Sequence, residues 1–195
     1  RRVKVPKLAV EPLAPISLDD FSKLVRACSD SLTGIRDKAV LYALLDTGAR
    51  ASELCAMDVR DLNQVTGNIL IRQGKGRKPR TVYLGHKSRK AVRAYLSHHR
   101  DNCLALWITD EGGRLHYWGC REIPRRRSLK AGIHPPPIHA FRRAFALTCL
   151  RAGMDIFTLQ VLMGHSDLQV LCRYLAQTDE DTRSAHALAS PVDRL

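Results

Sequence analysis

Six cysteines occur in the 195 residues, and no two form a CxxC pair. Cys28, Cys55, Cys103, Cys120, Cys149 and Cys172 stand in otherwise apolar helical contexts, so they read as reduced core thiols of an intracellular protein. His98, His99 and Cys103 read as a solvated helix end rather than a metal cluster. No apolar run approaches a membrane span and no signal-peptide pattern is present, so no membrane partner and a cytoplasmic location are expected. There is no internal repeat and no low-complexity tract, and the GxxxxGK[ST] spacing of a nucleotide-binding P-loop is missing. Acidic residues are the scarce charge: 19 Asp plus Glu face 32 Lys plus Arg, a net of +13. That imbalance, with the cations clustered, favours a nucleic acid or another anionic surface as partner. The length and a 45% hydrophobic share allow one substantial domain with a buried core.

Punctuation along the chain predicts mostly helices. Arg1 to Pro15 holds three prolines and four cations with little periodicity, which reads as an extended linker. Ser17 followed by Asp19 and Asp20 predicts a helix start, with Leu18, Phe21, Leu24 and Val25 turned inward. A second helix is predicted over roughly Gly34 to Leu45, ending at the Thr47-Gly48 turn. Arg50 opens a short third helix through Leu54, where a cation is disfavoured by the dipole unless an anion is shared between its guanidinium and the free amides. Glu53, one turn on, can hold that guanidinium; an ordinary surface pair explains the two residues equally well.

Asn68 to Arg72 and Arg80 to Leu84 predict two strands joined by a turn rich in glycine and cations, with Lys75, Arg77 and Lys78 at its tip. Ser88 to Arg100 is amphipathic, and Ala105 to Thr109 is read as a third short strand. Tyr117 to Lys130 is helical in pattern, with Pro124 expected to break or restart it. Arg125, Arg126 and Arg127 then either track a nucleic-acid backbone or form a solvated face. From Ala185 to Ala189 the pattern permits a short docking helix.

The most informative stretch runs from Pro135 to Tyr174. Pro137 marks a helix start, which places His139 and Arg142 on one face. Gly164-His165-Ser166 ends one helix and caps another, with Tyr174 two turns further. An imidazole, a guanidinium fork, a second imidazole and a phenol in this order suggest chemistry on a phosphate. A helix-turn-helix without catalysis also fits TLQVLMGHSDLQVLCRYL taken alone.

Five motifs in order, TGARASEL (47–54), GKGRK (74–78), HAFR (139–142), LMGHS (162–166) and Tyr174, closely resemble the tyrosine recombinases, the phage integrase and Xer-like group. The resemblance covers nearly the whole chain from about Pro15. It implies a mainly α catalytic-domain fold with a small antiparallel β-sheet (α+β). It also implies that residues 1–15 are a linker from an N-terminal DNA-binding domain and that 16–195 are a catalytic domain with a C-terminal tail. The implied partner is double-stranded DNA, bound by a homotetramer in the full-length protein, and the implied reaction uses neither metal nor cofactor.

The roles carried over are Tyr174 as nucleophile, His139 as base, Lys75 as acid, and Arg50, Arg142 and His165 as phosphate ligands, with Glu53 in support. Arg72, Arg77, Lys78, Arg80, Arg125, Arg126, Arg127 and Arg143 are expected DNA contacts. Arg143 stands where many relatives carry another histidine. A topoisomerase-like relaxation through the same covalent step is the alternative enzyme reading.

Overall fold

The computed structural model describes residues 14–72, 79–98, 103–164 and 179–194. Its centre is α2 (Leu32–Thr47), started by the Ser31 hydroxyl, which accepts from the Gly34 amide at 3.2 Å. Ala39, Val40, Leu41, Ala43 and Leu44 are all buried, so the helix is apolar around most of its girth and packs against neighbours on several sides. Those neighbours are α4 (His86–Leu96), α5 (Tyr117–Ala131) and α6 (His139–Arg151). In front lies α1 (Leu18–Arg26), capped by Ser17, whose Oγ accepts from the Asp20 amide at 3.0 Å. Phe21 and Leu24 point inward, and the Phe21 ring meets Tyr42 and Phe141 edge-on at 5.7 and 6.3 Å. Leu18 does not follow them: at 58% exposure it lies on the outer side of the first turn.

The sheet is a two-stranded antiparallel ribbon, β1 (Asn68–Ile71) with β2 (Arg80–Tyr83), in the register Asn68↔Tyr83 through Ile71↔Arg80. Ile69, Ile71 and Val82 enter the core from one face, as a period of two requires. The expected third strand at Ala105 to Thr109 is not formed. Only isolated bridges pair Ala105 with Asp58 and Ile108 with Arg114. The backbone there is satisfied by unlike partners instead: Leu106 N donates to Met57 O (2.9 Å) and Ile108 N to the Tyr95 hydroxyl (3.0 Å). Leu106 and Trp107 are thereby held in the core without a ladder.

Helix α5 runs unbroken past Pro124, against expectation. Proline costs about 3 kcal/mol inside a helix, but Cys120, Ile123, Pro124, Arg127 and Ser128 are all buried on the packed side, and that burial holds the turn together. The same face corrects the reading of Arg127 as a DNA contact. It is 4% exposed and its Nη2 and Nε donate to Asp37 at 2.7 and 3.0 Å. Asp37, fully buried, also accepts from Arg36 (3.1 Å) and Arg126 (3.2 Å). One carboxylate thus gathers three guanidiniums between α2 and α5.

Two shorter helices frame the region described next. Helix α3 (Ala51–Cys55) follows α2 after a turn at Gly48, whose φ of 59° is the left-handed conformation natural to glycine. Helix α7 (Ile156–Met163) is capped at its start by Asp155 and ended by Gly164 at φ 61°. It sits on a second apolar cluster of Ala146, Leu159 and Met163, separate from the main core. A further helix covers Asp179–Ala189. Among the described residues no helix is long and apolar enough to cross a membrane.

Candidate active site

The site begins at the end of α2. Thr47 Oγ1 donates to Ala43 O (2.6 Å) and accepts from the Ala49 amide (3.2 Å), which shapes the turn that carries Arg50. Arg50 takes an extended backbone as the residue before α3. Glu53, one turn into the helix, accepts from the Arg50 amide at 2.8 Å and from its Nη1 at 2.9 Å. The carboxylate therefore caps the helix and fixes the guanidinium at once.

A second guanidinium completes the arrangement. Arg80, first residue of β2, donates from Nη1 and Nη2 to Glu53 at 3.1 and 2.7 Å and from Nε to Leu162 O at 2.8 Å. Burial alone would raise the Glu53 pKa, but the hydrogen bonds from Arg80 and the Arg50 amide, with both positive charges, bring it down to about 2. Arg80 was expected among the DNA contacts, yet its side chain is only 8% exposed. The strand period carried the signal: Arg80 lies two residues before buried Val82 and so shares its inward direction.

Helix α6 brings the remaining described groups. Arg142 is buried and donates from Nη1 to the Gly48 carbonyl and from Nη2 to Met163 O, the latter at 2.6 Å. It thus ties the turn before Arg50 to the end of α7. Arg143, next along, is partly buried. His139 opens α6, where partial burial and the charges of Arg142, Arg143 and Arg50 depress its pKa below 6.5. It borders an open groove of about 720 Å³ whose lining includes Tyr117, Arg121, Arg125 and His134. Of these only Arg125 was anticipated. The exposed spacing of Arg121 and Arg125, one turn apart on α5, marked the face in sequence.

Arg50, Glu53, Arg142 and His139 are therefore drawn into one neighbourhood from two separate motifs. Arg125 stays at the surface with Glu122 (3.0 Å), Arg126 leans on Asp37, and Arg72 pairs with Asp61 at 2.6 Å. Lys75, Arg77, Lys78, His165 and Tyr174 lie outside the described residues. Among the described residues no group of His, Cys, Asp and Glu could hold a metal ion. Three guanidiniums against one carboxylate leave a surplus of positive charge in a partly dry setting, which suits a phosphodiester.

Comparison with known proteins agrees with this geometry. The model of the phage integrase family matches residues 16–181. The chain is 30% identical over 197 residues to the tyrosine recombinase XerA of Thermococcus kodakarensis, covering 100% of this chain and 69% of that protein. It is 33% identical over 205 residues to the tyrosine recombinase XerC of Myxococcus xanthus, covering 97% and 66%. A crystal structure of XerA recombinase superposes with a TM-score of 0.79 at 25% identity, over 97% of this chain and 67% of that one. The Tn1549 transposon integrase in complex with a circular intermediate DNA shares the fold, with a TM-score of 0.78 at 19% identity over 95% and 69%. The chain spans about two thirds of the length of these relatives. With a matching family model over most of its residues and the same mixed helical fold, the chain belongs to the phage integrase family, as a tyrosine recombinase catalytic domain.

Proposed function

We propose that this chain performs the strand cutting and rejoining of a site-specific DNA recombinase. The observation that carries the reading is the placement of Arg50 and Arg142 around the turn between α2 and α3, with His139 close enough to feel both charges. In the proposed step the Tyr174 oxygen attacks a DNA phosphorus. The bond to the 5′-oxygen breaks, giving a 3′-phosphotyrosine and a free 5′-hydroxyl. Tyrosine has an ordinary pKa of about 10, so its proton must be taken as the bond forms. His139 is the base, and Lys75 returns a proton to the leaving 5′-oxygen. Arg50, Arg142 and His165 hold the non-bridging oxygens, where charge accumulates.

The phosphotyrosine conserves the energy of the phosphodiester, so a second 5′-hydroxyl reverses the step without a nucleotide cofactor. The partner is double-stranded DNA, and four protomers on two duplexes is the proposed assembly of the full-length protein. Lys75, Arg77 and Lys78, which lie between β1 and β2 in sequence, together with Arg125 and Arg143, supply backbone contacts. A binding-only role would leave His139 and the Arg50–Glu53 pair without a task.

The test is capture on a nicked oligonucleotide duplex carrying the flanks of the chain's own element. Wild type should accumulate a covalent protein–DNA complex resolved on a denaturing gel. Arg50→Lys keeps the charge but loses the fork, and cleavage should fall about a hundredfold, the loss typical of one oxyanion donor. Binding by wild type without any covalent product would decide for the non-catalytic reading. Near-normal cleavage by Arg50→Lys would remove Arg50 from the phosphate clamp.

The pH profile follows from His139. Its pKa is lowered from the ordinary histidine value by burial and the neighbouring guanidiniums, so the neutral, proton-accepting form should persist further to the acid side than an ordinary histidine allows, and single-turnover cleavage should hold its plateau further in that direction. As pH falls through the depressed value, the imidazole becomes protonated and the rate should decline. Glu53, at about 2, stays ionised over that whole range and contributes no limb. His139→Gln should lower the plateau and abolish the limb; an unchanged acid limb in that variant would assign it to another group.

A further inference from the structure

We propose that Arg80 is a positioning residue for cleavage, aligning Arg50 and the end of α7 rather than touching DNA; this rests on the recombinase reading above. Three observations carry it. First, Arg80 shares both Glu53 oxygens with Arg50. A single carboxylate balanced between two guanidiniums leaves the site net positive. Without Arg80 both oxygens fall to Arg50, whose fork is then drawn to Glu53 and away from a phosphate.

Second, Arg80 Nε holds Leu162 O while Arg142 holds Met163 O. Two cations therefore secure the last carbonyls of α7, where the helix dipole also favours them. That turn leads directly in sequence to His165. Third, the fit leaves no room: a Cβ on Gly164 would stand 2.8 Å from Arg80 Nη1 and 2.9 Å from Cζ. The absent side chain at Gly164 allows the guanidinium to lie against the backbone. Arg80 also begins β2, and its one side chain bridges two of the motifs that the reaction needs, through Glu53 and Leu162.

The experiment compares Arg80→Gln, Glu53→Gln and the double variant with wild type on the same nicked duplex. Arg80→Gln should lower the single-turnover cleavage rate at saturating protein about a hundredfold, the loss expected when a reacting group is displaced by about 1 Å. DNA affinity and its salt dependence should remain those of wild type. The double variant should be little worse than either single one, because both act through the same pair. Hydrogen exchange at the amides of 162–164 should quicken in Arg80→Gln.

A weaker complex whose salt slope drops by about one would instead make Arg80 a phosphate contact. An unchanged rate in folded Arg80→Gln, or additive losses in the double variant, would also overturn the proposal. If Arg80→Gln does not fold, Arg80→Lys retains the charge but cannot span Glu53 and Leu162 together, and should show the same rate loss. If wild type yields no covalent complex, the recombinase reading fails. The exchange measurement still decides whether Arg80 clamps α7, since unchanged exchange refutes the clamp.

Discussion

Tyr174→Phe should bind DNA as wild type does and form no covalent complex at all. The substitution removes one oxygen, the atom that becomes bonded to phosphorus, and keeps the ring. Phosphate affinity comes from cations elsewhere, and its strong salt dependence should therefore persist unchanged in the variant. The loss is absolute rather than graded: weakening a phosphate ligand slows the step, whereas deleting the nucleophile removes the product. The measurement is a denaturing gel on the nicked duplex beside a native gel on the intact one. A covalent band from Tyr174→Phe would place the nucleophile at another residue. Loss of native binding would show that the hydroxyl serves affinity instead.

The second large effect concerns stability. Asp37→Ala should destabilise the domain by roughly 3–5 kcal/mol, because it strands buried Arg36 and Arg127 and the partly exposed Arg126 without their common counter-ion. Arg36 retains Ile108 O and Asp110 and Arg127 retains Ala27 O, so the penalty comes from charge left uncompensated more than from hydrogen bonds lost. For a domain of this size that corresponds to a fall in Tm of roughly 6–20 °C. The urea midpoint should drop with an unchanged slope. A shift below about 1 kcal/mol would mean that the three guanidiniums find solvent or other acceptors at little cost, and that the cluster belongs with ordinary surface pairs.

Much of this architecture was legible in the sequence because the signals are local. Ser17 marks a helix start through its hydroxyl, Gly48 and Gly164 mark helix ends through their backbone freedom, and all three do so in the structure. His139 and Arg142 share a helix because Pro137 restricts the chain just before them. What escaped is decided by distant partners. Arg127 belongs to a basic run but meets Asp37 ninety positions away, so nothing nearby in the chain announced its burial. Pro124 was expected to break α5, and tertiary packing overruled that local rule. Ala105 to Thr109 has the composition of a strand, yet its amides are claimed by Met57 and the Tyr95 hydroxyl before any ladder can form. Arg80 was legible in part: alternation gave its direction, while Glu53 and Leu162 as partners required the fold.

Helix α7 rests on a footing of its own. Leu159 and Met163 pack with Ala146 and its surroundings, while Phe157 and Val161 face outward and α2 keeps its separate core. An element seated on so small a cluster opens at less cost than α2 once the Arg80 and Arg142 bonds to its last carbonyls are broken, since the free energy of local opening tracks the contacts broken. Substitutions beneath α7 should therefore alter when a protomer becomes competent to cut, and leave largely intact whether the domain holds together.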